Sequence, residues 1–284
     1  MELGMLPITP IVLVGSDYWQ PIIEFLKIQC CAIGSVDQSI VDSWQVVDTA
    51  AGAFDIIKDV KDAMPACDLS PSNFHCEGNV DWKIFQVMAE LVEGFEFVTG
   101  LSHAVSIFGT KTLTAEHTYY DTAYELGAAI AASGHAVVTG GKSGIAEAAS
   151  KGAFESGGMA IGIGMKVKGA KSDLNSYLTK SILFQFPFTR KLIMTAPTEA
   201  FVFFPGGFGS LHQLFEVLTL IQTKKLPRIP VILYDYNFWS PLHDFIKKVL
   251  VHDVETIGDQ DDELYQMVGD TKGVMKIIEE DDVH

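Results

Sequence analysis

The chain has 284 residues, of which 48% are hydrophobic, so it is long enough to bury one large core or two small ones. Its net charge of −16 opposes binding to nucleic acid or to an anionic membrane surface, and we expect neither as a partner. In such an acidic chain, a phosphate-bearing ligand requires a local group of basic residues.

The N-terminal residues are similar to a segment near the C-terminus. Residues 6–27 align without gaps on residues 226–247, and both segments have the pattern of a buried strand, a turn and an amphipathic helix. The identical positions are Leu6, Pro7, Pro10, Leu13, Trp19, Pro21, Phe25 and Lys27. We predict that residues 1–63 are a partial repeat of the C-terminal half of a domain, docked on the rest of the chain or on a second chain. The alternative is that two similar strand–helix units have converged on one pattern.

The chain has four cysteines, Cys30, Cys31, Cys67 and Cys76. They form no CxxC pair, and no fourth ligand stands at a usual spacing from Cys67, His75 and Cys76, so we expect no metal. Reduced thiols are typical of a cytoplasmic protein. Residues 64–80 are rich in Pro, Ser, Asn and Gly, which predicts a linker.

From residue 81 onward, the apolar patterns of strands and helices alternate. After a helix over 81–97, the predicted strands are 104–108, 135–138, 159–163, 200–204 and 230–234, and the predicted helices are 119–133, 144–156, 188–196 and 211–223. Thr118 is expected to open the helix over 119–133. This alternation predicts an α/β fold, a Rossmann-like doubly wound parallel sheet with helices on both faces, formed by residues 81–284.

Three glycine-bearing turns follow predicted strands, and the carboxyl ends of parallel strands meet at one edge of a sheet. Glycines let backbone N–H groups approach a phosphate, and a helix N-terminus attracts its charge. The turns therefore predict one site for a phosphate-bearing ligand. Its candidate residues are Gly109, Thr110, Gly140, Gly141, Lys142, Gly144, Pro205, Gly206, Gly207, Gly209 and Ser210.

The stretch over residues 205–225, PGGFGSLHQLFEVLTLIQTKK, resembles the PGGxGTxxE signature of the LOG (LONELY GUY) family, once widely described as lysine decarboxylases. Residues 140–149 resemble that family's GGGPGIMEAAN, with Lys142 in place of the third glycine. A lysine there either adds a phosphate contact or fills space that the ligand needs. The resemblance implies a nucleoside 5′-monophosphate phosphoribohydrolase that releases a free base and ribose 5-phosphate without a cofactor. It also implies a homo-oligomer, a dimer or higher.

The resemblance assigns roles to four further residues. Arg190 and Lys191 match the family's arginine–lysine step, whose arginine binds the phosphate or the reacting sugar; the alternative is a solvated basic pair. Glu147 matches a residue that faces the substrate in the family, although a carboxylate is also favourable in the first turn of a helix. Glu216 matches a second family glutamate, and the alternative for it is helix packing or pairing with a basic neighbour.

Gln213 stands where the family has its signature glutamate. Glycosidic hydrolysis passes through an oxocarbenium-like state, and a carboxylate both stabilises that cation and activates water, whereas a neutral amide does neither well. Ser210 and Gln213 fit a capping box, so we expect the helix start to tolerate the substitution.

Three hypotheses follow from these residues. The first is a phosphoribohydrolase impaired by Gln213, with Arg190, Glu147 and Glu216 as the other catalytic candidates. The second is a catalytically inactive nucleotide-binding half of a tandem protein, with a regulatory or scaffolding role. A more remote third is a carrier of a phosphorylated pterin.

Overall fold

The computed structural model describes residues 10–58, 80–101, 103–166 and 174–281. The strands are β1 (Val12–Val14), β2 (Gln45–Val47), β3 (Ala104–Phe108), β4 (Ala136–Thr139), β5 (Ala160–Met165), β6 (Lys180–Phe184), β7 (Thr198–Phe203), β8 (Val231–Tyr234) and β9 (Gln266–Val268). The α-helices are α1 (Ser16–Phe25), α2 (Gln38–Asp42), α3 (Ala50–Ile57), α4 (Val80–Val98), α5 (Thr118–Ala132), α6 (Ile145–Glu155), α7 (Pro187–Thr195), α8 (Phe208–Gln222), α9 (Tyr236–Phe245) and α10 (Thr271–Asp281). Two π-helical segments, Leu26–Cys30 and Ile246–Asp253, continue α1 and α9. Among these helices, none has the length and apolar character needed to cross a membrane.

Strands β3 to β9 form one parallel sheet in the order β6-β5-β4-β3-β7-β8-β9. The chain begins this sheet in its middle at β3, winds outward to β6, and returns beside β3 as β7. From there it winds outward again to β9, which is the doubly wound topology that the sequence predicted. Strands β1 and β2 form a separate two-stranded parallel sheet.

Hydrophobic cores lie on both faces of the main sheet, and β7 shows how the sequence produces them. Ala200 and Val202 belong to a core that includes α5, α6 and α10. Phe201 and Phe203 alternate with them and belong to a core with α8 and α9 on the opposite face. Residues of α7 and Val98 of α4 form a third cluster on β3 to β6. The predicted fold class is therefore confirmed, including the burial of this apolar strand on both sides.

Two strands of the sheet were not predicted, because the sequence pattern indicated no strand between residues 163 and 200 and placed the last strand at 230–234. Both missing strands, β6 and β9, lie at the edges of the sheet. Lys180, Ser181 and Gln266 are exposed in these strands, so their apolar pattern is interrupted. An edge strand is covered less completely than a central one, which explains why such short runs resemble loops.

The starts of two helices also differ from the prediction. The side chain of His117, rather than Thr118, caps α5 by accepting a hydrogen bond from the amide of Tyr119 at 3.2 Å. Helix α8 begins at Phe208 instead of residue 211, so Ser210 lies inside its first turn. The predicted capping box at Ser210 is therefore wrong, because the N-cap is Gly207, which has no side chain to supply a hydrogen bond.

The small N-terminal sheet has the same register as the C-terminal edge of the main sheet. Val12 pairs with Gln45 between β1 and β2, and Ile232 pairs with Gln266 between β8 and β9. Val12 aligns with Ile232, and Gln266 lies one residue further along the chain from Ile232 than Gln45 does from Val12. The two segments therefore share strand pairing as well as sequence.

A tryptophan in each segment makes the same hydrogen bond. The indole N–H of Trp19 donates to the carbonyl oxygen of Val14 at 3.1 Å, and that of Trp239 donates to Tyr234 at 3.1 Å. In both cases the acceptor is the last residue of the strand that precedes the helix. The bond fixes the angle between strand and helix, so the two strand–helix units have the same local geometry.

Residues of the N-terminal segment pack into the core that contains α8 and α9. The rings of Tyr18 and Phe245 are 5.9 Å apart, and those of Phe25 and Phe238 are 5.5 Å apart, both edge to face. Helix α1 thus packs on α9, its counterpart in the alignment. The predicted linker lies outside the described residues except for Val80, and so do Cys67, His75 and Cys76.

Candidate functional site

The chain reverses its winding direction between β3 and β7, the position at which doubly wound sheets bind ligands beyond the carboxyl ends of their strands. Gly109 directly follows β3, and Pro205 lies just beyond the end of β7. The amide of Thr110 donates a hydrogen bond to the carbonyl oxygen of Pro205 at 3.1 Å. This bond joins the first and third glycine turns.

The second glycine turn is joined to the first by two hydrogen bonds. The amide of Ile145 donates to the carbonyl oxygen of Thr110 at 3.1 Å, and the hydroxyl of Ser143 donates to that of Lys111 at 3.0 Å. Gly144 adopts φ 75°, and a Cβ atom there would collide with the carbonyl oxygen of Thr110. Only glycine fits this position without strain. The structure thus brings the three turns together as one continuous surface.

The N-terminus of α8 opens onto this surface at the third turn. Because Gly207 is the N-cap and no side chain caps it, the amides of Phe208, Gly209 and Ser210 have no partner within the helix. The hydroxyl of Ser210 packs against Gly206, so the first turn of the helix lies directly on the glycine turn. Free amides at a helix N-terminus favour an anion.

Arg190 supplies a cation beside the second turn. It lies on α7, where its Nε donates to the carbonyl oxygen of Ile163 at 2.7 Å. Its Nη2 lies 2.8 Å from the position that a Cβ atom would take at Gly140. Desolvation lowers the pKa of Arg190 to about 10, so the guanidinium still carries its charge at neutral pH. The guanidinium therefore covers the glycine that an anion would approach.

Lys142 lies half-buried on the same turn as Gly140 and Gly141. Asn175 fixes the backbone of this turn from outside the site. Its amide donates to the carbonyl oxygen of Gly141 at 2.8 Å, and its Nδ2 donates to that of Lys142 at 3.2 Å. The glycine that the family has at residue 142 is thus replaced within a well-anchored backbone.

Lys191, Glu216 and His212 form a group between α7 and α8. The Lys191 ammonium lies 2.7 Å from Oε2 of Glu216 and donates to Nε2 of His212 at 2.8 Å. The side chains of Lys191 and Glu216 are 18% and 35% exposed, so the ion pair is partly protected from solvent. Glu216 is therefore paired with a basic neighbour, which was the alternative considered for it from the sequence.

Glu147 lies in the first turn of α6, directly after the second glycine turn. The hydroxyl of Tyr120 on α5 donates to its Oε1 at 3.5 Å, which is a long hydrogen bond. Burial, followed by the charge of Glu147, raises the pKa of Tyr120 to about 12. Glu147 is half-buried, so it is a carboxylate at the edge of the site with a weak protein partner.

Gln213 lies on the same side of α8 as Ser210, one turn further into the helix, and only 3% of it is exposed. Its Nε2 is buried, and the described residues contain no hydrogen-bond partner for it. A buried amide donor without a partner is costly by about 1–3 kcal/mol. The position that carries the family's glutamate therefore holds an unsatisfied donor near the third turn.

The N-terminal segment also contacts this region, which the sequence did not predict. A Cβ atom at Gly207 would collide with the carbonyl oxygen of Ser35, so the segment touches the third turn directly. The indole ring of Trp44 lies over Phe208, with ring centroids 5.6 Å apart. The repeat in the sequence suggested docking, but it contained no signal for which loop would reach the glycine turn.

Comparisons with known proteins identify the family of this chain. The family profile described as "Possible lysine decarboxylase" matches residues 146–278. The cytokinin riboside 5′-monophosphate phosphoribohydrolase of Rhodococcoides fascians is 30% identical over 135 residues, covering 47% of this chain and 68% of that protein. An uncharacterized protein of Archaeoglobus fulgidus is 29% identical over 117 residues, covering 40% of this chain and 74% of that protein. The chain therefore belongs to the LOG family.

Solved structures with a similar fold include two molybdenum cofactor proteins. The molybdenum cofactor binding protein from Rippkaea orientalis is 20% identical with a TM-score of 0.48, covering 64% of this chain and 98% of that one. The molybdenum cofactor carrier protein from Chlamydomonas reinhardtii is 23% identical with a TM-score of 0.47, covering 64% and 99%.

Proposed function

We propose that the three glycine turns bind the phosphate of a nucleoside 5′-monophosphate such as AMP. The observation that carries this proposal is the continuous surface that the three glycine turns form at the switch point, with the uncapped N-terminus of α8 opening onto it and the Arg190 guanidinium beside it. In a chain of net charge −16, this cation is placed where the fold concentrates anion-binding amides. The proposed phosphate-binding residues are Gly109, Thr110, Gly140, Gly141, Lys142, Gly144, Lys191, Pro205, Gly206, Gly207, Gly209 and Ser210.

The proposed reaction is hydrolysis of the N-glycosidic bond, at a rate reduced by Gln213. The bond between the sugar C1′ and the base nitrogen breaks, a water oxygen bonds to C1′, and a proton ends on the released base. Positive charge develops on the sugar during this step, so a nearby carboxylate is required for speed. Glu147 is the proposed carboxylate, because Lys191 already neutralises Glu216. Arg190 holds the phosphate and so positions the sugar.

The alternative function is a catalytically inactive nucleotide-binding half of a tandem protein, in a regulatory or scaffolding role. Two observations favour it: the signature carboxylate is replaced by the buried amide of Gln213, and Glu216 is held in an ion pair. Under this alternative, AMP binds but adenine is not released. Binding and turnover therefore have to be measured separately.

Calorimetric titration with AMP tests the site itself. We expect Arg190→Ala to weaken AMP binding at least about tenfold, since a charge-assisted hydrogen bond contributes roughly 1.5–3 kcal/mol. Arg228→Ala is the matched control, because Arg228 donates to the carbonyl oxygen of Glu263 near the opposite end of the sheet. Equal AMP affinity in wild type and Arg190→Ala would remove Arg190 from the site. Absence of binding at millimolar AMP would remove the proposal, whichever of the two functions is considered.

The organisation of the chain is part of the proposal. We propose residues 1–63 as a partial LOG-like repeat, 64–80 as a linker and 81–284 as the LOG-like domain, in agreement with the shared register of the two strand pairs. The free thiols of Cys30 and Cys31 support a cytoplasmic location.

We also propose self-association into a homo-oligomer. Its support is a stripe of exposed apolar side chains on α4, consisting of Ile84, Phe85, Met88, Val92 and Phe95. Light scattering on Met88→Lys, with Phe54→Lys as the control, tests whether a second copy covers that stripe. An unchanged mass in Met88→Lys would exclude the stripe as the contact.

A further inference from the structure

A carboxylate from α4 caps the helix that carries Arg190. The N-cap of α7 is Phe186, whose side chain has no polar atom to cap the helix. Oε1 of Glu90 accepts a hydrogen bond from the amide of Gln185 at 2.5 Å, and Oε2 accepts one from the amide of Phe186 at 3.2 Å. The hydroxyl of Thr189 donates to Oε2 at 2.7 Å. One carboxylate thus holds three donors at the start of α7.

Close packing of α4 on α7 brings the carboxylate to this position. Gly94 lies one turn after Glu90 on α4, and a Cβ atom there would lie 2.5 Å from Cγ1 of Ile193. It would also lie 2.9 Å from the ring of Phe184. A side chain larger than hydrogen at residue 94 would therefore hold the two helices apart. Glycine permits the close approach through which Glu90 reaches the start of α7.

The residue whose hydroxyl Glu90 holds directly precedes Arg190 in the chain. Thr189 is fully buried, and its hydroxyl also lies 2.8 Å from the carbonyl oxygen of Phe186, although an ionised carboxylate is the stronger acceptor. The amide of Arg190 donates to that same carbonyl oxygen at 3.2 Å. The first turn of α7 is thus fixed at Phe186 and at Thr189, and the point from which the Arg190 side chain leaves the helix is fixed with it.

The Arg190 guanidinium is sensitive to the placement of its helix. Its Nε donates to the carbonyl oxygen of Ile163 at 2.7 Å, and its Nη2 lies against Gly140. A hydrogen bond weakens steeply when its distance and angle depart from the preferred values. A small displacement of α7 would therefore weaken the bond to Ile163 and move the positive charge away from the second glycine turn.

We propose that Glu90 is a positioning residue for the ligand site, because it caps α7 and thereby places the Arg190 guanidinium at the second glycine turn. This inference rests on the proposed phosphate site. Glu90 is itself an acid, so its charge alone would oppose the binding of a phosphate. The two effects have opposite signs: removal of the charge strengthens AMP binding if only electrostatics matters, and weakens it if Glu90 positions Arg190.

Calorimetric titration of the full chain with AMP distinguishes these two effects. We expect Glu90→Gln to weaken AMP binding at least about threefold, because an amide has one oxygen for the two backbone N–H groups and holds α7 less firmly. The loss should not exceed that in Arg190→Ala, which removes the guanidinium itself. Glu93→Gln is the matched control and should bind AMP as wild type does, because Glu93 is exposed on the same helix.

Substitution of Thr189 separates the hydrogen bond to Glu90 from the packing of the helix. Thr189→Val keeps the shape of the buried side chain but loses the hydroxyl, whereas Thr189→Ser keeps the hydroxyl and loses a methyl group. We expect Thr189→Val to weaken AMP binding and Thr189→Ser to keep most of the affinity. All variants are measured below their melting temperatures. The reverse order of the two variants would assign Thr189 to packing and count against the proposal.

A combination with Arg190→Ala tests whether Glu90 acts through the guanidinium. In the Arg190→Ala background, Glu90→Gln should change AMP affinity by less than about twofold, because the group that it positions is gone. A loss as large as in the wild-type background would overturn the proposal. So would an AMP affinity of Glu90→Gln that equals or exceeds that of wild type, although the phosphate site itself would then stand. Absence of AMP binding in wild type would overturn both.

Discussion

The ammonium of Lys191 on α7 lies 2.7 Å from the carboxylate of Glu216 on the neighbouring helix α8. The ammonium holds the carboxylate in place and balances its negative charge. Lys191 is a proposed phosphate-binding residue, and Glu216 is the acid that would replace the missing glutamate. The charges of these two side chains therefore neutralise each other. This pairing, together with Gln213, sets the expectation for catalysis.

The substitution Gln213→Glu should increase adenine release from AMP by about tenfold or more, because a positioned acid–base group typically contributes ~10²–10⁴ in rate. Adenine is measured by chromatography, and Gln266→Glu is the control because Gln266 is exposed on the edge strand β9. If wild type already turns over near ~10 per second, a typical enzyme rate, the amide at 213 does not limit the reaction.

The two remaining glutamates should differ in their effect on residual turnover. We expect Glu147→Gln to lower it by ~10²-fold or more, because Glu147 lies beside the glycine turn with only a long hydrogen bond from Tyr120. Glu216→Gln should lower it by less than about tenfold, since Lys191 already holds that carboxylate. The measurement is adenine release at saturating AMP. The reverse order of the two effects would assign the catalytic carboxylate to Glu216.

The N-terminal segment should contribute to the stability of the whole chain. Phe25 is 2% exposed and packs on Phe238, so Phe25→Ala is expected to cost about 3–5 kcal/mol of unfolding free energy. The melting temperature should fall by roughly 6–20 °C. Phe54→Ala in the same segment is the control, because Phe54 is 61% exposed.

Removal of residues 1–70 is the stronger form of the same test. It should lower the melting temperature or change the mass seen by light scattering, because it uncovers the core that contains α8 and α9. Unchanged stability, solubility and mass would show that the segment contributes nothing to the fold. A separate second transition in wild type would show that it folds independently.

Stability should fall as the pH rises above about 10. Burial raises the pKa of Tyr120 to about 12, against about 10 in the unfolded chain, and burial also raises the pKa values of Tyr119 and Tyr265. Below pH 10 both the folded and the unfolded chain keep these protons, so the contribution of the three tyrosines to the free energy of unfolding is fully present. Between pH 10 and 12 the unfolded chain releases its protons first, so the stabilisation that corresponds to the raised pKa of Tyr120 is lost.

Melting temperatures measured from pH 8 to pH 11 check this expectation. Tyr120→Phe should weaken the alkaline fall, and Tyr236→Phe should not, because Tyr236 is exposed. An alkaline fall of the same size in Tyr120→Phe and wild type would assign it to other groups.

Much of the fold was predictable because it depends on local patterns. The apolar run of residues 200–204 is buried on both faces, and its sequence shows this directly. The junction of the glycine turns was also predictable, since parallel strands place their carboxyl ends at one edge. The edge strands β6 and β9 were not predictable. Each pairs with a strand on one side only, so some of its residues are exposed and interrupt the apolar pattern.

Side-chain pairing in the site was beyond the sequence for a different reason. The ion pair of Lys191 with Glu216 and the contact of Ser35 with Gly207 join residues far apart in the chain. Such contacts depend on the packing angles of whole helices, which a residue pattern does not specify.

The packing of α1 on α9 has a consequence for behaviour on dilution. Two separate chains that met through these helices would lose about 4–15 kcal/mol of translational and rotational freedom, and their contact would weaken as the protein became scarce. Here both helices belong to one polypeptide, so the contact has the same strength at every concentration. It also occupies this face of α9 permanently, so a copy arriving from solution must use another surface.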